Sequence, residues 1–167
     1  EALSEQDDYD LLVMGHTQGK GCYCFVNGLL TSQIARYAKN YKYLVVDNEA
    51  GMEHISRGIL PSVDTIILVS DCSRRGVQAV GRIAKLIPEC GLKPKSVGLI
   101  INRAPGGVLN AGTKEEIEKQ GLHLLGVVPQ DEQVFEYDCD GVPTVKLPED
   151  SPVRKALYSI IDQLDLS

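Results

Sequence analysis

Five short apolar runs punctuate the chain: YDLLVMG (9–15), YLVVD (43–47), TIILVS (65–70), SVGLIIN (96–102) and LHLLGVV (122–128). They are continuous rather than alternating, which suits strands covered by helices on both faces, the habit of a parallel sheet. Helical patterns lie between them. Ser73 is placed to cap a helix whose face carries Val77, Val80, Ala84 and Ile87, and Thr113 with Glu116 reads as a capping box. Ser151 and Pro152 suit N-cap and N1 of a last helix with an apolar stripe at Val153, Leu157, Ile160, Ile161 and Leu164. Strand and helix in alternation predict a doubly wound, mostly parallel α/β sheet with helices on both faces. At 167 residues the chain is long enough for one well-buried core, so a single domain over 1–167 is expected.

In open sheets of this kind ligands bind beyond the carboxyl ends of the strands. That singles out residues 15–24, 47–54, 71–75, 102–107 and 129–131. Composition narrows the ligand. A net charge of −6 argues against a nucleic-acid backbone as partner, because such affinity comes from clustered Lys and Arg. No apolar stretch approaches the roughly 18 residues of a membrane span. The opening EALSEQDDYD is acidic, unlike a secretory signal, so a cytoplasmic location is expected. In such a compartment five cysteines are thiols or metal ligands rather than disulfides. Cys72, Cys90 and Cys139 are scattered, as small, partly buried residues are.

The first loop, GHTQGKGCYC (15–24), has the outline of a phosphate loop but not its parts. A Walker A loop spaces its glycines by four residues and follows Gly-Lys with a hydroxyl that holds magnesium. Here the spacer is one residue short and Gly21 replaces the hydroxyl. Two cysteines one residue apart at a strand-to-helix turn can aim both sulfurs to one side, yet two thiolates fill only half of a tetrahedral site. A second copy of the chain related by a twofold axis would supply the other half, giving a four-sulfur site from two Cys22–Cys24 pairs. Zinc suits that geometry readily, and nickel also fits. The bland alternative is a buried or redox-labile pair. Lys20 nearby would favour thiolates. His16, His54 and His123 read as solvated or structural residues, and Glu53 with Arg57 as a helix-surface pair.

Three further stretches carry a resemblance. VVDNEAGMEHISRG (45–58), LIINRAPGG (99–107) and GVVPQDEQV (126–134) resemble, in order and spacing, the Walker B, base-reading and Gly-x-hydrophobic-Pro-x-Asp segments of P-loop NTPases of the MinD and ParA group. MGHTQGKGCYCFVNGLL (14–30), taken with DNEAGMEHISRG (47–58), is similar to the CooC-type accessory ATPases that serve nickel insertion into carbon monoxide dehydrogenase. The resemblance implies ATP or ADP with magnesium as ligand, Asp47 at the magnesium, and Asn102, Arg103, Pro129 and Asp131 around the adenine. It also implies Zn2+ or Ni2+ on Cys22 and Cys24, a homodimer through that site, and a client metalloenzyme, with no nucleic-acid or membrane partner. The same group carries its phosphate loop on an N-terminal strand that has no match here, so the chain is expected to be the C-terminal portion of a nucleotide-binding domain. Alone, Asp47, Asn102 and Pro129 would be half a nucleotide site. Two other readings are a metal- and partner-binding module without ATP chemistry, and a partition ATPase without a metal role.

Overall fold

In the computed structural model the described residues are 3–13, 24–48, 51 and 62–164. They fall into two compact units, Glu1–Pro61 and Ser62–Ser167.

The second unit carries the sheet. Strands β3 (Thr65–Asp71), β4 (Ser96–Ala104) and β5 (Leu124–Pro129) run parallel in the order β3-β4-β5. Helix α2 (Arg74–Glu89) crosses from β3 to β4, and α3 (Ala111–Gln120) from β4 to β5. Both lie on one face, where Leu68, Leu99, Ile101 and Ala104 of the sheet pack with Val77, Val80 and Ile117 of the helices. On the other face Ile100 and Val128 meet Val153 and Ile160 of α5 (Pro152–Ile161), with Val134 and Tyr137 of α4 (Glu132–Cys139) beside them. Neighbours Leu99, Ile100 and Ile101 are thus all buried, each on the face opposite to the last. This is why the β4 sequence is continuously apolar. Gly126 lets α5 come close, since a Cβ there would fall on Ile160.

Among the described residues of this unit, cover is one-sided at β3. Leu68 and Ser70 are buried, while Ile67 and Val69 are 42% and 56% exposed, because the α4–α5 layer packs on β4 and β5 only. The expected stripe of α5 is narrower than its sequence: Val153, Ala156 and Ile160 pack inward, but Leu157 and Ile161 are 40% and 48% exposed. Ser73 and Ser151 cap α2 and α5 as expected, accepting from the N–H groups of Gly76 (3.0 Å) and Arg154 (3.4 Å). Thr113 and Glu116 form no capping box. Asn110 is the N-cap of α3, accepting from Thr113 N–H at 2.8 Å, and Thr113 donates its hydroxyl to the Cys72 carbonyl at 2.7 Å.

In the first unit the described part of the 9–15 run contains a short strand, β2 (Asp10–Leu12), antiparallel to β1 (Leu3–Glu5) with Leu3 opposite Leu12. Helix α1 (Cys24–Tyr37) follows, ending in a 3-10 turn at Ala38–Asn40, and the Tyr41 hydroxyl donates to the Asp10 carboxylate. Residues 43–47 form no strand and no ladder among the described residues, with Leu44 53% and Val45 88% exposed, so the expected strand there is corrected. An apolar run becomes a strand only where backbone partners and a covering layer exist, and among the described residues this one has neither.

Candidate functional site

The carboxyl ends of β3, β4 and β5 lie side by side, Asp71 paired with Asn102 and Ala104 with Pro129. The β4–β5 register slips between Ile101 and Ala104, and within the slip Arg103 takes a left-handed backbone, φ 54°. A non-glycine residue there costs on the order of 1 kcal/mol or more, and such strain recurs where a loop must aim a side chain. Its effect here is specific. The Asn102 side-chain oxygen accepts from Arg103 N–H at 2.9 Å, which fixes the amide, and its Nδ2 has no partner among the described residues. The chain then turns through Pro105–Gly107 with two left-handed glycines, and Gln130 N–H donates to the Ala104 carbonyl at 2.9 Å, tying the end of β5 to that of β4.

Pro129 and Asp131 line an open groove of about 670 Å³ with Gly106, Gln133, Asp150 and Ser151 among the other walls. Its size falls within the range of small-molecule pockets. Asp131 also has a local task as N-cap of α4, accepting from Gln133 N–H at 2.9 Å. Asn102 and Arg103 end the neighbouring strand and are not among the groove-lining residues.

Asp71 escaped individual notice in the sequence. Its carboxylate accepts from the Ser73 hydroxyl (2.6 Å) and N–H (2.9 Å). The Ser73 hydroxyl, then that N–H, and the charge of Arg103 hold it below the ordinary carboxylate range. The sequence signal was an Asp two residues before a helix-capping Ser. Behind this turn Glu116 of α3, with no exposed surface, accepts from Gln120 Nε2 at 2.8 Å and from Arg74 Nη2 at 3.2 Å. The Gln120 amide, with the Arg74 guanidinium and Gln78, holds its carboxyl low against the opposing effect of burial. Depressed carboxylates stabilise the fold fully above their unfolded values, near 3.8 for Asp71 and 4.5 for Glu116, and the contribution is lost as pH falls through the lower folded values. The midpoint of thermal unfolding is therefore expected to fall as pH drops below about 5. Glu116→Gln should flatten that fall; an unchanged pH profile would remove Glu116 from the account.

Asp47 lies in the first unit, exposed at the end of the irregular 43–47 segment. Cys24 is the first residue of α1, and its side chain, like all of Cys22, lies outside the described residues. Among the described residues no three metal-ligating side chains converge, and no helix is long and apolar enough to cross a membrane.

The CbiA family, the CobQ/CobB/MinD/ParA nucleotide binding domain, matches residues 29–145, most of the chain. The chain belongs to this family. It is 38% identical over 168 residues to an uncharacterized ATP-binding protein of Methanocaldococcus jannaschii, covering 98% of this chain and 64% of that protein. It is 31% identical over 146 residues to the carbon monoxide dehydrogenase accessory protein CooC of Rhodospirillum rubrum, covering 79% and 50%. Among solved structures, a ParA family ATPase from Chlorobium tepidum superposes with a TM-score of 0.65 at 25% identity, covering 81% of this chain and 55% of that one. The chain thus spans between half and two thirds of the length of these relatives. The α/β fold, with its parallel three-stranded sheet flanked by helices, is that of the MinD and ParA proteins.

Proposed function

We propose that this chain works in a nucleotide-dependent metallochaperone of the CooC type, which binds ATP or ADP with magnesium and delivers nickel or a similar ion to a metalloenzyme. The observation that carries the reading is the end of β4. The bulge and the left-handed Arg103 hold the Asn102 amide by its oxygen and leave its donor side open, one strand from Pro129 and the groove. A planar base needs such a fixed amide, since its edge is read by hydrogen bonds of set direction. The likeness to CooC, together with the Cys22–Cys24 pair, supports a metal-handling branch of the family over a partition ATPase.

In this scheme Asn102 and Arg103, with the 129–131 segment, recognise adenine, and Asp47 holds magnesium at the phosphates. Cys22 and Cys24 carry the cargo ion at a twofold junction. Residues 49–57 follow the state of the nucleotide and pass it to that junction, as switch segments do in nucleotide-driven transitions.

Calorimetric titration of the full chain with ADP and magnesium tests the nucleotide half of the scheme. Clear binding is expected, weakened at least about tenfold by Asn102→Ala, the usual loss for a hydrogen bond made to a fixed partner. If the unaltered protein does not bind ADP, the reading gives way to a metal- and partner-binding module without ATP chemistry.

A further inference from the structure

Helix α5 turns a second face away from the sheet. Lys155, Tyr158, Ser159 and Asp162 follow one another at i, i+3, i+4 and i+7, so they stand in one row along the helix and its cap. All four are exposed, and together they line an open groove beside the helix. Tyr158 is 55% exposed at the centre of the row, and the half-exposed Leu157 and Ile161 flank it. Apolar side chains gathered in this way and bounded by charges mark a contact surface.

The charges of the row run against the field of the helix. The first turn of a helix favours acids and the last turn bases, yet α5 has no acid in its first turn and no base in its last. Lys155 stands near its start and Asp162 is its C-cap residue. Neither has an ion-pair partner among the described residues. Arg154, by contrast, is occupied within the chain: it donates to the Leu147 carbonyl at 2.9 Å and lies over the Tyr158 ring at 5.6 Å.

Read in reverse, the row is complementary to itself. When a second α5 is laid antiparallel about a twofold axis between positions 158 and 159, Lys155 of each chain stands opposite Asp162 of the other, and Tyr158 opposite the small Ser159. Each ring then fills the room that a serine leaves, and each helix end receives from its partner the sign of charge it lacks. A parallel pairing would set lysine on lysine and aspartate on aspartate.

We infer that this face of α5 is an interaction surface whose partner is a second copy of the chain, packed antiparallel and centred on Tyr158 and Ser159. One helix pair buries well under the roughly 1,200 Å² of a stable interface, so the contact is weak and fills on the order of 100 µM. It uses none of the residues of the proposed cysteine junction and is empty at the low concentrations at which that junction is tested.

Sedimentation equilibrium of the full chain is the test. Between about 10 µM and 1 mM the average mass is expected to double from its low-concentration value, whether that value is a single chain or a metal-linked pair. Lys155→Asp sets acid against acid across the axis and Asp162→Lys sets base against base, so each should weaken the association at least about tenfold. An equal mixture of the two variants should associate again to within about twofold of the unaltered protein, because each offers the charge the other needs. Should either charge variant fail to fold, Ser159→Trp, which fills the space facing Tyr158, is expected to abolish the rise in mass by itself. An unaltered protein whose mass does not rise with concentration overturns the inference. A rise that persists undiminished in both charge variants also overturns it, by placing the contact elsewhere on the surface, and so do variants that associate no better mixed than apart.

Discussion

Leu99→Ala should lower the stability of the Ser62–Ser167 unit by about 3–4 kcal/mol, the cost of emptying a fully enclosed site that cannot collapse. Leu99 has no exposed surface and stands in the central strand, β4. Its side chain belongs to the cluster in which α2 and α3 meet the sheet, and its N–H donates to the His123 carbonyl at 2.7 Å, so the backbone around it is held from the β5 side. Neither neighbour is free to move into the void. A domain of this size is stable by only about 5–15 kcal/mol, so the loss is a large share of the whole. The comparison is Ile67→Ala on β3, where 42% of the residue is already in water and the cost should stay below about 1 kcal/mol. Urea denaturation of the two variants gives the difference. Equal midpoints would mean that the core does not centre on β4.

Strands 65–71, 96–104 and 124–129 could be read in the sequence to within two or three residues, because each pairs in a sheet whose cover imposes a continuous apolar run. The run at 43–47 has the same composition, and no pattern in it says whether neighbours will be present to pair with it. The same limit explains Ile67 and Val69: the residues are right for a two-faced strand, while the second cover stops at β4. At α3 the sequence reading put the cap at Thr113, three residues after Asn110, which is the N-cap. Burial moved it, since Thr113 is drawn inward to the Cys72 carbonyl and Glu116 to Arg74, a residue 42 positions away.

For the site, Asn102, Arg103, Pro129 and Asp131 were legible as strand-end residues, and the structure sets them at two neighbouring strand ends. The slip that orients Asn102 was not legible, nor was the approach of 148–152 to the groove, because both arise from long-range packing rather than from local pattern.

The proposed metal site makes a demand that can be met or refused outright: Cys22→Ser with Cys24→Ser should leave the protein without bound metal and monomeric. A serine hydroxyl does not ionise near neutral pH and is a poor ligand for a soft-tolerant divalent ion, so the double change removes all four donors of a shared site at once. Each single variant keeps two sulfurs of the four and should bind metal weakly, with a dimer that falls apart on dilution. Binding at a four-sulfur zinc site is worth on the order of 10 kcal/mol, enough to hold together chains whose remaining contacts are slight. Cys24 opens α1, and the first turn of a helix favours negative charge, which suits a pair that must stay ionised. Metal analysis with mass determination in solution gives both readouts on one sample. One ion per two chains is expected of the unaltered protein and none of the double variant. Equal metal content and equal mass in the two would end the metallochaperone reading while leaving adenine recognition at the β4–β5 edge to stand or fall by its own titrations.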